Sequence, residues 1–584
     1  MAGGALNPWA MAGSEGRNMS IDSAPSPTTA VRSTSILIWA DYTNPSRSSH
    51  ARLTRIHAGD VTRGRSDPHR EDGMQTRRDW LKQAGAAAAV ALAPRGAEAQ
   101  ARKSTLTIAL PSTPETIDPH QLRSVLSGSI LGLMGEGLLT RDPQTMELKP
   151  LLAESWRNVN PTTWEVKLRR GIKFHNGEEF TAESVKFTIE RAITSKLNTL
   201  AKLTWPPSFG QEVQAVDPHT VRITTRIPDP MVPSRLAAES LNIAPAKGLG
   251  DYRERFVTDR FIGTGPYRFV EHVVGDRVVV EANPAYWGPK PPSARIVWQV
   301  IPDAATRVAA LQRGDIDVML NLPVPLLSTV ETDPGLQVYA ELSSLTHGVL
   351  LNARESPPLK DRRVRQALNL AVDRQAIIKN LFAGRGQLLN TVTGRNVMNT
   401  FDPGPYPYDP GRAKALLAEA GYGNGFDLQL WQSIGRWTLA EEMAQVIAGY
   451  WDKVGVRTKI QLLEWAEYNK RSAGSQFRDA FYYAFINGTW DASYTVQRFK
   501  PDFATFRYFD ASGDLLKAIR DYEQTFDPKR RRELAAQALK GLHEEAVWLF
   551  LWQLELLTGM SKKVKAFRIR PDDFIWARDA YVEA

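Results

Sequence analysis

Residues 162–193 read "TTWEVKLRRGIKFHNGEEFTAESVKFTIERAI", and two periods follow each other within them. Trp164, Val166 and Leu168 share one face of an alternating run, as do Ile172 and Phe174, and each run ends at a glycine. That pattern predicts a β-hairpin. From Thr181 the spacing changes: Val185, Ile189 and Ile193 stand four apart, on one stripe of a helix for which Thr181 is the expected N-cap. Strand chemistry passing directly into helix chemistry is the mark of an α/β protein.

The same alternation extends outward in both directions. "TLTIAL" (105–110) alternates and stops at Pro111, as an opening strand would. Asp303 is placed to cap "AATRVAALQRG", Gly314 to close it, and "DIDVML" follows as a strand. "DRRVRQALNLAVDRQAIIKNLFAG" puts Val364, Leu368 and Ala371 on one face before Gly384. Asp409, Pro410 and Gly421 supply an N-cap, a first-turn proline and a stop for the next helix, and "FDLQLW" alternates after it. The pattern shows no internal repeat and no long flexible linker.

The amino-terminal region has another character. "TRRDWLK" (76–82) precedes the small apolar run "AGAAAAVALA" (84–93), and Ala97-Glu98-Ala99 offers a small-x-small cleavage site. A basic end, a short apolar core and small residues are what an export signal requires. Arg77 and Arg78, with Trp80 two places beyond the pair, resemble the twin-arginine motif, which exports proteins already folded. The apolar run is about half the ~20 residues a spanning helix needs, so residues 74–99 are expected to be a cleaved signal and not an anchor. Residues 1–73 are rich in Gly, Ser, Thr, Pro and Arg without a sustained apolar period. They are expected to be disordered, or to precede the true start at Met74.

The roughly 485 residues after the signal exceed one ordinary domain. Hydrophobic residues at 42% and charged residues at 23% fit a globular chain. A formal charge of +9 over 584 residues is too dilute to specify a nucleic-acid partner. Cysteine is absent, which excludes disulfides, thiolate metal sites and a lipid-modified cysteine. No phosphate-binding loop, no G-x-S-x-G elbow and no H-x-x-x-H pair occurs. "GYGNG" (421–425) ends a helix and reads as a turn, and the basic run 529–532 opens a helix carrying Leu534, Ala538 and Leu542. The expectation is therefore a binder that uses no cofactor and no metal, and not an enzyme.

A resemblance makes this specific. "ETIDPH" (115–120), the segment 132–192, "IGTGPYRF" (262–269), "NPAYWG" (283–288), "RVAALQRGDIDV" (307–318), the segment 351–378 and "YDPGRAKALLAEAGY" (408–422) recur in this order in the family 5 extracellular solute-binding proteins of ABC importers, which the chain resembles nearly end to end after its signal. The resemblance implies a type II periplasmic-binding-protein architecture. Two α/β lobes are joined by a two-strand hinge, the first enlarged by an extra subdomain: lobe I at 104–342 plus 556–584, lobe II at 343–555. It implies a free periplasmic monomer that takes a short peptide or similar small solute into its cleft. Closure about the hinge buries the ligand, and membrane permease subunits with a separate ATPase receive it.

The resemblance also selects residues. "INGTWDAS" (486–493) matches the stretch where peptide-binding relatives place an aspartate for the ligand's α-ammonium, which implies that role for Asp491, with Trp490 and Tyr494 as pocket walls. Thr346 and His347 are candidates at the lobe junction. Relatives carry an arginine six places before the aspartate, where this chain has Phe485, and the usual Asp-Pro after it is replaced by "ASYTVQ". A ligand carboxylate would then fall to Arg395 or Arg436. A chelated nickel ion, glutathione, an opine or an oligosaccharide are the alternative ligands, and an exported enzyme is the alternative class.

Overall fold

The computed structural model describes residues 102–584, apart from 123, 195–200, 202–203, 206–209, 248–260, 438 and 504. The signal residues Arg77 and Arg78 lie outside the described residues. Two mixed sheets organise the chain. The first runs in the order 336–342, 552–561, 318–319, 105–110, 295–300, 277–282, 267–273. At its centre, Thr105–Leu110 pairs in parallel with Arg295–Val300 and buries Leu106, Ile108 and Leu110 completely. The second runs 456–463, 426–433, 480–485, 346–351, 548–550, over a core of its own. A four-stranded antiparallel sheet built from Ala153–Asn160, Thr163–Leu168, Thr220–Thr225 and Gln211–Asp217 forms the extra subdomain, again with its own core.

The chain passes between the first two sheets twice, side by side. Leu336–Leu342 belongs to the first sheet and Thr346–Leu351 to the second, with only residues 343–345 between. Trp548–Phe550 belongs to the second and leads at once into Trp552–Ser561 of the first. The Ser343 amide donates to the Leu554 carbonyl at 2.9 Å, and Gln553 Nε2 donates to the Ser343 carbonyl at 2.7 Å, so the crossings are bonded to each other. Asp573, from the carboxy-terminal segment, accepts from the Ser344 amide and from both serine hydroxyls and so fixes this hinge to lobe I.

Local chemistry explains most elements. Asp303 accepts from the Thr306 amide, and Gly314 closes the helix Ala304–Arg313 in the left-handed region. Asp409 accepts from the Arg412 amide, with Pro410 in the first turn. Three expectations need correction. Ile172 and Phe174 are buried but form no strand: Gly171 and Gly177 both turn the chain at positive φ, leaving one bridge between Lys173 and Glu179. Thr163–Leu168 pairs instead with 153–160 and 220–225. The helix expected before Gly384 is two, Arg362–Leu370 and Arg374–Leu381, because Asp373 caps a new start by accepting from the Ala376 amide. The strand expected after Gly314 contracts to Val318–Met319.

The glycines of "GTGPY" are explained by close approach. A Cβ on Gly263 would lie 2.2 Å from the Met134 carbonyl oxygen, and one on Gly265 2.6 Å from that of Leu133, so only glycine lets this loop rest on the end of helix Val125–Met134. His175 is bonded to the same loop, with Nε2 at 3.0 Å from the Gly265 carbonyl and Nδ1 accepting from the Gly263 amide.

Candidate functional site

The strands 426–433, 456–463 and 480–485 are parallel, and the carboxy-terminal end of 480–485 lies beside the beginning of Thr346–Leu351, where Phe485 pairs with Thr346. In open α/β sheets, ligand crevices form beyond such ends. The loop 486–493 leaves from this edge and faces lobe I across a cavity of about 40 Å3. Both lobes supply its walls: Arg141, Glu239 and Arg570 from lobe I, and Asn487, Gly488 and Tyr494 from lobe II. A larger groove of about 960 Å3 opens on lobe II alone, but charges along it pair with one another, as Lys517 does with Asp521 and Arg365 with Glu545. The interlobe cavity is the better candidate because it would be remade by any movement at the hinge.

The lobes are closed on each other. Arg141 Nη2 donates to the Thr489 carbonyl at 2.7 Å, and Nη1 to the Met146 carbonyl at 3.1 Å. Met146 packs with Val397 and Trp490, and the Trp164 and Phe526 rings stack at 6.2 Å. Burial pushes Arg141 down to about 10, while the charges of Asp572, Glu239 and Asp491 favour its cationic form. Arg570 is nearly inaccessible and pairs with Glu239 at 2.7 Å and Asp572 at 2.5 Å. Burial pushes the Glu239 carboxyl up against the pull of Arg570.

The residues singled out in the sequence separate here. Tyr494 lines the cavity. Asp491 is completely buried, and its carboxylate is occupied: Oδ1 accepts from the Ser493 amide at 2.9 Å, the Tyr522 hydroxyl at 2.7 Å and Arg531 Nη2 at 3.0 Å, while Oδ2 accepts from Asn399 Nδ2 at 2.8 Å. The expected acceptor for an ammonium ion is thus already paired with an internal guanidinium. Trp490, at φ 57°, turns its indole to Met146 and Val397 and is not part of the cavity wall.

Thr346 and His347 are buried within their strand. His347 Nδ1 contacts the Tyr482 hydroxyl, and burial, aided by the Arg436 charge, pushes the imidazole down to about 3, so it is neutral. Arg395 pairs with Asp402 at 3.3 Å, donates to the Leu388 carbonyl and does not line the cavity. Arg436 lies over the Trp465 and Trp437 rings at 5.1 and 5.9 Å. Arg141 and Arg570, which line the cavity, escaped the sequence reading.

Two α/β lobes, a paired-strand hinge and a cavity that draws on both lobes define a cleft-binding protein of the type II periplasmic-binding-protein fold. The model of the bacterial extracellular solute-binding proteins, family 5, matches residues 147–505. The chain belongs to that family and is a solute-binding protein. It is 29% identical over 525 residues to the Glutathione-binding protein GsiB of Pectobacterium atrosepticum, covering 87% of this chain and 99% of that protein. It is 33% identical over 350 residues to Heme-binding protein A of Haemophilus influenzae, covering 56% of this chain and 64% of that protein. The ABC transporter-associated periplasmic binding protein DppA from Helicobacter pylori, solved with the peptide STSA, superimposes with a TM-score of 0.72 at 23% identity, over 82% of this chain and 98% of that one.

Proposed function

We propose that this chain is the solute-capturing component of an ABC importer. It closes on a short peptide or a comparable small polar solute in the interlobe cavity and presents the closed form to the permease. The observation that carries this reading is the cavity itself, whose walls come from both lobes beside a hinge only a few residues long. A ligand that touches both walls favours closure by its differential affinity for the closed state. The full-length likeness to a glutathione-binding protein supports a peptide-like solute. The basic and apolar sequence at 76–93 supports export by the twin-arginine route to the periplasm, and among the described residues no helix is long and apolar enough to cross a membrane. No bond is made or broken in this role, and the energy for import comes from an ATPase on another chain.

The test is a melting-temperature screen of residues 100–584 against di- and tripeptides, glutathione, opines, nickel chelates and oligosaccharides. A ligand at a hundred times its Kd adds about 2.7 kcal/mol of stability. Saturable stoichiometric binding together with a ligand-dependent change in radius of gyration supports the reading. Catalytic turnover of a bound compound would overturn it.

A further inference from the structure

The interlobe cavity has a neighbour inside lobe I. A chamber of about 40 Å3 lies between helix Val125–Met134 and the carboxy-terminal residues 570–578. Ala237, Glu239, Arg570 and Phe574 line this chamber and the interlobe cavity alike. The Arg570 guanidinium, its partner Glu239 and the Phe574 ring, over which Arg570 lies at 5.0 Å, form the partition between them.

One face of the helix makes the room. Gly128, Gly132 and the capping Gly135 stand on it four and three residues apart. A Cβ on Gly128 would lie 2.5 Å from the Phe574 ring, and one on Gly135 2.5 Å from the Phe261 ring, so close packing accounts for those two. Gly132 is different, because a Cβ there would meet nothing nearer than Glu239 Cγ at 4.0 Å. Alanine is the better helix former. What glycine keeps at position 132 is empty volume in the chamber.

The chamber also holds polar atoms that the fold leaves unused. Its charges are matched: Arg570 lies between Glu239 and Asp572, and the Tyr286 hydroxyl joins Glu136 to Arg578, donating to Glu136 Oε1 at 2.7 Å and accepting from Arg578 Nη2 at 2.8 Å. What is left over is uncharged. Asn242, 2% exposed, lines the chamber, and its Nδ2 is buried with no hydrogen-bond partner among the described residues. Ser240, 3% exposed, leaves its Oγ equally unpartnered on the side of the interlobe cavity. A buried donor without an acceptor is rare in a folded chain and calls for one from outside. A neutral group can supply it, whereas a further charge would be desolvated with no counter-charge to meet it. Volume limits the size of that group. At roughly 10–15 Å3 for one water on this measure, the chamber admits about three heavy atoms, as many as a carboxamide has.

We propose that the lobe I chamber is a side pocket of the solute site, entered from the interlobe cavity past Arg570 and Phe574, and that it selects solutes with a short neutral hydrogen-bonding arm, a carboxamide being the simplest. This rests on the reading of the interlobe cavity as the solute site.

Four dipeptides test it on residues 100–584 by titration calorimetry and melting temperature: Ala-Ala, which has no arm, and Ala-Gln, Ala-Glu and Ala-Met, whose arms are neutral and polar, charged, and apolar. Ala-Gln is expected to bind at least fivefold more tightly than each of the others. Gly132→Ala should raise the melting temperature of the ligand-free protein, lower the affinity for Ala-Gln at least fivefold and leave that for Ala-Ala unchanged. Asn242→Leu should bring Ala-Gln down to the affinity of Ala-Met. An Ala-Gln that binds no better than Ala-Glu or Ala-Met makes the chamber a place for ordered water and overturns the inference. So does a Gly132→Ala protein with unchanged Ala-Gln affinity, or a series in which none of the four binds. Gly488→Phe separates this from the underlying reading, since it fills the interlobe cavity beside Tyr494. Ala-Ala binding that survives Gly488→Phe sinks the cavity as the solute site, whereas binding that Gly488→Phe abolishes but that ignores the arm sinks only the side pocket.

Discussion

The substitution Arg531→Met tests whether Asp491 belongs to the fold or to the ligand. The pair is bonded at 3.0 Å, with side-chain exposures of 7% and 0%. Removing one member of a buried pair leaves the other charge uncompensated and typically costs about 3–5 kcal/mol. Here the lower end applies, because Asp491 keeps the Ser493 amide, the Tyr522 hydroxyl and Asn399 as donors, and methionine refills most of the volume. Arg531 also donates to the Tyr522 and Thr525 carbonyls, and those acceptors lose a partner. The expected loss is about 3 kcal/mol. For a unit of lobe II's size, that lowers Tm by roughly 6–12 °C. Adding Asp491→Asn removes the stranded charge and should return more than about 1 kcal/mol, a coupling typical of residues in direct contact. The assay is urea and thermal unfolding at pH 7, followed by tryptophan fluorescence. A cost below about 1 kcal/mol, the range of exposed pairs, would refute the reasoning. So would an Asp491→Asn protein of unchanged stability that no longer binds an amine-bearing probe.

Gly263→Ala places a Cβ against the Met134 carbonyl oxygen, a backbone atom that cannot swing away, and should cost about 3 kcal/mol in urea unfolding where overpacking typically costs 1–3. Arg141→Met removes the charged bond to the Thr489 carbonyl that spans the lobes, worth about 1.5–3 kcal/mol; small-angle scattering of the ligand-free protein should then show a larger radius of gyration. His347 has its folded pKa lowered to about 3 from 6.5, so its stabilising contribution is present above pH 6.5 and is lost as pH falls from there toward 3, by up to about 1.4 kcal/mol per pH unit. His347→Gln should flatten that acid limb in unfolding measured across the range. Asp573 runs the other way. Burial raises it to about 7 from 3.8, against its bonds from Ser343 and Ser344, so its contribution is complete below pH 3.8 and lost as pH rises through 7; Asp573→Asn should remove that slope and leave the protein relatively more stable at pH 8.

Local chemistry was legible and distant chemistry was not. The helices after Asp303 and Asp409 could be drawn from sequence because each cap, first-turn residue and stop lies within one short stretch. Ile172 and Phe174 misled because alternation reports which side chains point inward, and a turn-rich segment held at two positive-φ glycines can point two side chains into the same core as a strand does. The site shows the same division. Tyr494 could be placed by its motif, whereas the partner of Asp491 lies 40 residues further on, and nothing in "INGTWDAS" discloses that its charge is already met. Phe485 was legible only as the loss of an arginine from a strand end. In three dimensions its ring carries the guanidinium of Arg498, supplied from the next helical segment. The two residues meet because the chain turns back between the strand 480–485 and the short helical segments after it, and that turn cannot be read from either residue's neighbours.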